Sequence, residues 1–257
     1  MSERTETLDL TAPARALVIE LPAGECRIEP GEADLVTVTL AGRDADLVEV
    51  EAAGGTVSVR LPRDGRFSRS SVALSVAVPP GLDLTVRSAS MDVAAAVALG
   101  DVDVRTASGD VRLSDVASLS VKAASGDVRV ERVAGDLTAA LASGDVAATS
   151  VGGDVTTSTA SGDVRVDHAS GRLELRTASG EVLVGRWEGT DAALKTVSGH
   201  VRLTVPAGTR GDLDLTSFSG RVRLPSGPTS DVPDAERVRR RIRFRSVSGD
   251  FDLHVDG

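Results

Sequence analysis

Beyond residue 100 the apolar positions of the chain alternate with polar ones in short runs. Gly126-Asp127-Val128-Arg129-Val130 and Gly171-Arg172-Leu173-Glu174-Leu175 are typical: glycine, polar, apolar, any residue, apolar, then a few small residues. Alternation at a spacing of two puts Val and Leu on one face of an extended chain, and no 3.6-residue rhythm competes, so the pattern predicts β-strands. The punctuation repeats as well. Glycines follow serine at 109, 126, 144, 162, 180, 199, 220 and 249, with gaps of 17, 18, 18, 18, 19, 21 and 29 residues. Ser90-Met91-Asp92-Val93 fits one unit earlier, with Met in the glycine slot. A second series at 100, 135, 153, 171, 189 and 211 falls halfway. The true period is therefore a half-unit of about nine residues.

Two strands and two glycine turns per 18 residues describe one coil of a flattened solenoid, with two parallel sheets facing each other. The few aliphatic side chains of one coil cannot offset the entropy of ordering its whole backbone, so a coil does not fold alone. Stacked coils pair each strand above and below at about 4.8 Å and share one core. Parallel crossovers wind right-handed. The expected fold is all-β, a right-handed parallel β-solenoid.

Residues 1–80 lack the Ser-Gly register but keep the strand grammar. Leu17–Leu21, Leu35–Leu40, Val48–Glu51, Val57–Leu61 and Val72–Val78 alternate between turn-forming pairs. They are expected to form an irregular N-terminal β cap continuous with the solenoid of residues 81–257. A Pro/Ser/Gly/Asp-rich loop at 225–236 is expected as an insertion that accounts for the gap of 29 and covers the terminal coil.

Composition narrows the function. The net charge is −9, and the chain has no Tyr, Asn or Gln, one Trp and four Phe; its only lysines are Lys122 and Lys195. Nucleic acid is not the expected partner of so anionic a molecule. A carbohydrate-active solenoid would line its groove with aromatic and amide side chains, so this remains a distant alternative. Trp187 stands where other coils place Val116, Val133, Val151 and Ala169, which suits a core or corner substitution better than a sugar platform. The lone Cys26 excludes an intramolecular disulfide and a Cys-based metal site. No apolar run of about 18 residues occurs, so no membrane span is expected. Met1 to Thr7 leads into alternation rather than an unbroken apolar stretch, and the expected location is cytoplasmic.

Val76-Ala77-Val78-Pro79-Pro80-Gly81-Leu82-Asp83-Leu84-Thr85-Val86, followed by tandem Ala-Ser-Gly-Asp-Val-Arg-Val, resembles the bacterial β-strand-repeat family known as putative adhesin or Toastrack, over roughly residues 40–257. The resemblance implies a structural repeat with no catalytic signature, found beside envelope-stress or transmembrane partners.

Several side-chain columns invite chemistry. Asp110, Asp127, Asp145, Asp163 and Glu181 recur beside glycine, but the Gly-Gly-x-Gly-x-Asp pattern of calcium-binding solenoids is absent, and the column ends in His200 and Arg221. Pairing each Asp with the Arg two residues on (Asp110 with Arg112, Asp127 with Arg129, Asp163 with Arg165) gives a charged outer ladder instead. The serines at 108, 125, 143, 161, 179, 198, 219 and 248 precede turn glycines, where a hydroxyl is expected to cap local amides rather than attack a substrate. His168, His200 and His254 are scattered, with His168 and His200 expected to be exposed, so neither a catalytic base nor a metal site is anticipated. One run stands out: Arg237, Arg239, Arg240, Arg241, Arg243 and Arg245 fall within nine residues. Val238, Ile242 and Phe244 alternating with Arg239, Arg241, Arg243 and Arg245 read as a strand with an arginine outer face. In the alternative reading Arg237, Arg239, Arg241, Arg243 and Arg245 are a polyanion or partner site, and Phe244 would stack a base. The leading expectation is a non-enzymatic scaffold or protein-interaction module without cofactor, a monomer or small homo-oligomer, bound to a protein partner.

Overall fold

A computed structural model of the chain describes residues 2–9, 14–32, 35–62, 71–225 and 238–256. The alternation becomes strands throughout. Among the described residues there are 24 strands and no α-helix, only a 3₁₀ turn at Ala45–Leu47. No helix among them is long and apolar enough to cross a membrane. The fold is a parallel β-solenoid. By Cα proximity the chain divides into two compact units, Met1–Glu131 and Arg132–Gly257.

The second unit shows the repeat most plainly. Strands β13 (Leu137–Ser143), β15 (Val155–Ser161), β17 (Leu173–Ser179) and β19 (Asp191–Ser198) pair in parallel on one side. Strands β14 (Val146–Val151), β16 (Val164–Ala169), β18 (Val182–Trp187) and β20 (His200–Pro206) do so on the other. Leu137 lies opposite Val155 and Val155 opposite Leu173, so one coil is 18 residues. Val and Leu at alternate positions are buried and the intervening residues face outward, as in Val155, Leu173, Leu175, Val182 and Val184. The corners need glycine. At Gly162, with φ of +139°, a Cβ would lie 2.1 Å from the carbonyl oxygen of Gly144 one coil before. No side chain fits between turns stacked so closely.

Sequence order and stacking order part company at the end of the chain. Strands β21 (Thr209–Ser217) and β22 (Val222–Arg223) precede β23 (Val238–Ser246) and β24 (Asp250–Asp256) in sequence. Yet β23 pairs with both β19 and β21, and β24 with both β20 and β22. The last coil in sequence is thus inserted between its two predecessors. Phe244 and Phe251, both fully buried, fill it with rings stacked at 4.9 Å. The 29 residues from Gly220 to Gly249 therefore include β22 and β23, which belong to different coils of the stack. Of the loop expected at 225–236 only Pro225 lies within the described residues.

The first unit mixes directions. Strands β2 (Ala16–Glu20), β6 (Thr56–Arg60), β8 (Leu82–Arg87) and β10 (Leu99–Thr106) are parallel neighbours, as are β3 (Ala23–Pro30), β7 (Val72–Val78) and β9 (Ser90–Ala95). Strands from either side of residue 80 thus bond directly to each other. Outside them β4 (Leu35–Gly42) runs antiparallel on β7, β1 (Ser2–Asp9) antiparallel on β4, and β5 (Glu49–Ala53) antiparallel on β6. Strand β3 adds to the expected set; its Cys26 and Ile28 are buried while charged neighbours face out.

Candidate functional site

The acidic column is first of all structural. The backbone N–H of Asp110 donates to Asp92 Oδ1 (2.8 Å) and that of Asp127 to Asp110 Oδ1 (3.0 Å). In the second unit Asp163 N–H donates to Asp145 and Glu181 N–H to Asp163. The half-coil turns carry a second ladder, Asp101 on Asp83 and Asp154 on Asp136. Each carboxylate thus supports the turn of the following coil, and the Asp127 amide holds the Asp110 carboxyl below its usual pKa, with Arg112 adding to the effect and partial burial opposing it. The ladder pairs Asp110 with Arg112 (2.7 Å) and Asp127 with Arg129 (3.0 Å), as expected. Arg165 departs from the expectation and bonds Asp167 at 2.8 Å. Residue 167 shares its outer face, and the Asp163 Oδ1 is engaged by the next turn. Among the described residues no cluster of three His, Cys, Asp or Glu could hold a metal ion.

The arginine strand is β23. Arg237 lies outside the described residues. Arg239 is exposed opposite Arg210. Arg241, Arg243 and Arg245 point outward, but acids come with them: Arg243 Nη2 lies 2.9 Å from Asp191, Arg241 Nε 3.8 Å from Asp212, and Arg245 Nη2 4.0 Å from Asp214. Arg240, by contrast, points inward and is only 5% exposed. It donates to Thr209 Oγ1 and to the Glu188 carbonyl, each at 3.1 Å, while its Nε has no partner. Burial pulls its guanidinium below the usual arginine value, and Glu188 opposes this. Parity alone carried the signal, since 240 shares the face of Ile242 and Phe244. Phe244, the base-stacking ring of the polyanion alternative, is buried against Phe251 and unavailable for it.

Other candidates settle into the scaffold. Trp187 is fully buried and its Nε1 donates to the Gly171 carbonyl at 2.8 Å. His168 is exposed as expected, and His254 is exposed too. His200 differs: it is half-buried, with Nε2 3.1 Å from Asp252 Oδ2 but off line for a hydrogen bond, and Arg223 approaches the same carboxylate. His168 lies opposite Ser150 and Arg186, His200 opposite Asp250 and His254 opposite Thr204, so no two histidines share a register position. At the turns Ser219 and Ser248 donate their hydroxyls to the Val247 and Val197 carbonyls, and the residue three before glycine bonds as well. Thr159 and Thr177 hydroxyls donate to the Ser161 and Ser179 carbonyls, and the Ser217 and Ser246 hydroxyls accept from the Gly220 and Gly249 amides.

The family model described as Toastrack DUF4097 matches residues 14–254. The chain belongs to this family. No curated protein matches it. Its backbone is similar to crystal structures of a putative adhesin from Bacteroides fragilis (12% identity, TM-score 0.50, 98% of this chain and 97% of that one) and of another from Parabacteroides merdae (10%, 0.52, 98% and 95%). It is also similar to a putative lipid binding protein from Parabacteroides distasonis (12%, 0.51, 97% and 96%). At such identities the likeness concerns the fold alone.

What distinguishes this Toastrack chain from a uniform stack is its last coil. Among the described residues β21 pairs only with β23 and β22 only with β24, so both keep one unpaired edge. Their inward residues lack a coil above them: Leu213 and Leu215 are half-buried, and Val222 and Leu224 are exposed. A corner position that holds Ala in the regular coils (Ala142, Ala160, Ala178) becomes Val197, Val247 and Phe218 here. Ser248 N–H bonds to Val197 O and Ser219 N–H to Val247 O, which places Val247 between the other two; Phe218 is 91% exposed.

Proposed function

We propose that the chain is a non-enzymatic β-solenoid module that binds a protein partner, which adds an extended segment to the open β21 edge. The observation that carries this is the coincidence of an unpaired strand edge with half-buried Leu213 and Leu215 and exposed Phe218, in a molecule that elsewhere buries its alternate Val and Leu. Unpaired N–H and C=O groups supply the affinity of strand addition, and alternate side chains supply its selectivity. Regular coils offer no such foothold, because each of their strands is bonded on both sides. The repeated residues are small or turn-forming, and among the described residues no position assembles a nucleophile, a base and an oxyanion donor.

The test compares intact protein with Leu215→Lys as baits in cells that make it, with light scattering of each. Leu215 is only half-buried, so the variant keeps its fold, which melting checks. A partner captured by the intact chain and lost with Leu215→Lys supports the reading; identical captures by both baits refute it. A dimer that dissociates in Leu215→Lys would make the occupant a second copy of the chain.

A further inference from the structure

On the outer face of the second unit the cations of three strands come together. Strand β17 carries Glu174 and Arg176, bonded to each other, where β15 has Thr156 and Ser158. Strand β19 has Ala193 and Lys195 at the positions of Glu174 and Arg176, and β23 has Arg243 and Arg245. The register therefore sets Arg176, Lys195 and Arg245 side by side across three strands, with Glu174, Ala193 and Arg243 in the next row. Neighbours in a row are separated by about 4.8 Å at the backbone, so like charges repel unless an anion lies among them.

The small side chain of Ala193 leaves room beside these cations. Over Ala193 lies a hollow of about 190 Å³ walled by five cations, Arg172, Arg176, Lys195, Arg243 and Arg245. Glu174 and Asp191 engage Arg176 and Arg243, and Asp214 reaches Arg245 only at 4.0 Å. Arg172 and Lys195 have no ion pair among the described residues, and Arg243 Nε has no partner. The volume is below the roughly 300 Å³ at which pockets for organic ligands begin, so it suits an anionic group rather than a whole drug-sized molecule. Cations arrayed on several sides match the oxygens of a tetrahedral dianion, whereas a carboxylate would use one guanidinium fork.

We propose that this hollow is an oxyanion site for a small soluble phosphate compound, with Lys195, Arg172 and Arg245 as its principal contacts. It narrows the polyanion expectation from the whole arginine strand to one place, and it does not depend on the open β21 edge.

Titration calorimetry with inorganic pyrophosphate at about 50 mM salt, where screening is weak, tests it. The expected result is one saturable site per chain. Lys195→Met should weaken it about tenfold, the effect of one charge-assisted contact. Ala193→Glu, which places a carboxylate in the hollow, should abolish it. Lys122→Met, the other lysine, in the first unit, should change nothing. All three positions face outward, and equal melting temperatures verify the folds. Absence of a saturable site overturns the proposal. So does equal weakening by Lys122→Met, which would mean bulk charge attraction, or equal affinity for succinate, which would make the site a carboxylate site.

Discussion

The two units finish their sheets in opposite ways. In the first, the outer strands β1, β4 and β5 run antiparallel to their neighbours, whereas in the second every paired strand is parallel up to β21 and β22. An antiparallel strand needs only a short reversal, so it can be laid over a parallel edge without building another coil. The consequence shows in burial: Val36, Val38 and Leu40 of β4 are fully buried, while Leu213 and Leu215 of β21 are not. A repeat can thus be ended by changing strand direction, or left open at an edge suited to addition.

The largest expected effect comes from placing a charge on each side of this contrast. Val38→Asp puts an unpaired carboxylate into a fully buried position and should cost about 3–5 kcal/mol, seen in urea melts. Leu215→Asp makes the same kind of change at the open edge, where water reaches the side chain, and should cost about 1 kcal/mol or less. Equal losses would mean that the β21 edge is covered. Cys26 gives a local readout for the first unit. Burial pushes its thiol up to about 12, so native protein should resist alkylation at neutral pH; Val38→Asp should speed labelling and Leu215→Asp should not.

A somewhat smaller effect separates regular corners from irregular turns. Gly162→Ala drives a methyl to within 2.1 Å of the Gly144 oxygen at positive φ and should cost at least about 2–3 kcal/mol in thermal or urea melts. Gly81 also has positive φ, but its added Cβ would meet nothing within 4 Å, so Gly81→Ala should cost only about 1 kcal/mol of backbone strain. Similar losses at both sites would imply that the stacked corners can spread.

How much of this was legible varied with how local its cause is. Alternation of Val and Leu with polar residues sets strand and face one residue at a time, so the 18-residue coil and the buried positions 173, 175, 182 and 184 could be read directly. The insertion of β23–β24 ahead of β21–β22 could not, because stacking order depends on which edges meet, and both coils carry the same Ser-Gly punctuation. At the site, the outward arginines were legible from parity. Their acids Asp191, Asp212 and Asp214 come from strands far away in sequence, and the hollow over Ala193 is visible only once Glu174 is known to be its neighbour.

Arg240 offers a third test, on the open side of the contrast. A buried guanidinium with one unpartnered nitrogen gains little from its position, so Arg240→Met, similar in length and uncharged, should change stability by less than about 1 kcal/mol or raise it. Arg240→Asp should cost several times more, in the same urea melts. A large loss with Met would show that the two hydrogen bonds, to Thr209 and Glu188, hold the edge coil in place.

The smallest effect belongs to the ladder that both units share. Asp110 accepts the Asp127 amide and pairs with Arg112, and both interactions favour its charged form. Its folded pKa is therefore below the unfolded carboxylate value of about 3.9, so its contribution is fully present above that value and is lost as pH falls through the folded pKa. Asp110→Asn keeps an oxygen for the amide and removes only the charge. Melting temperatures followed from pH 7 downward should show the variant slightly below the parent above about pH 5, with the gap closing below about pH 4. The carboxylate is solvated and its ion pair screened, so the gap should be small. A gap that persisted unchanged into acid would mean that shape, and not charge, joins each turn to the one before it.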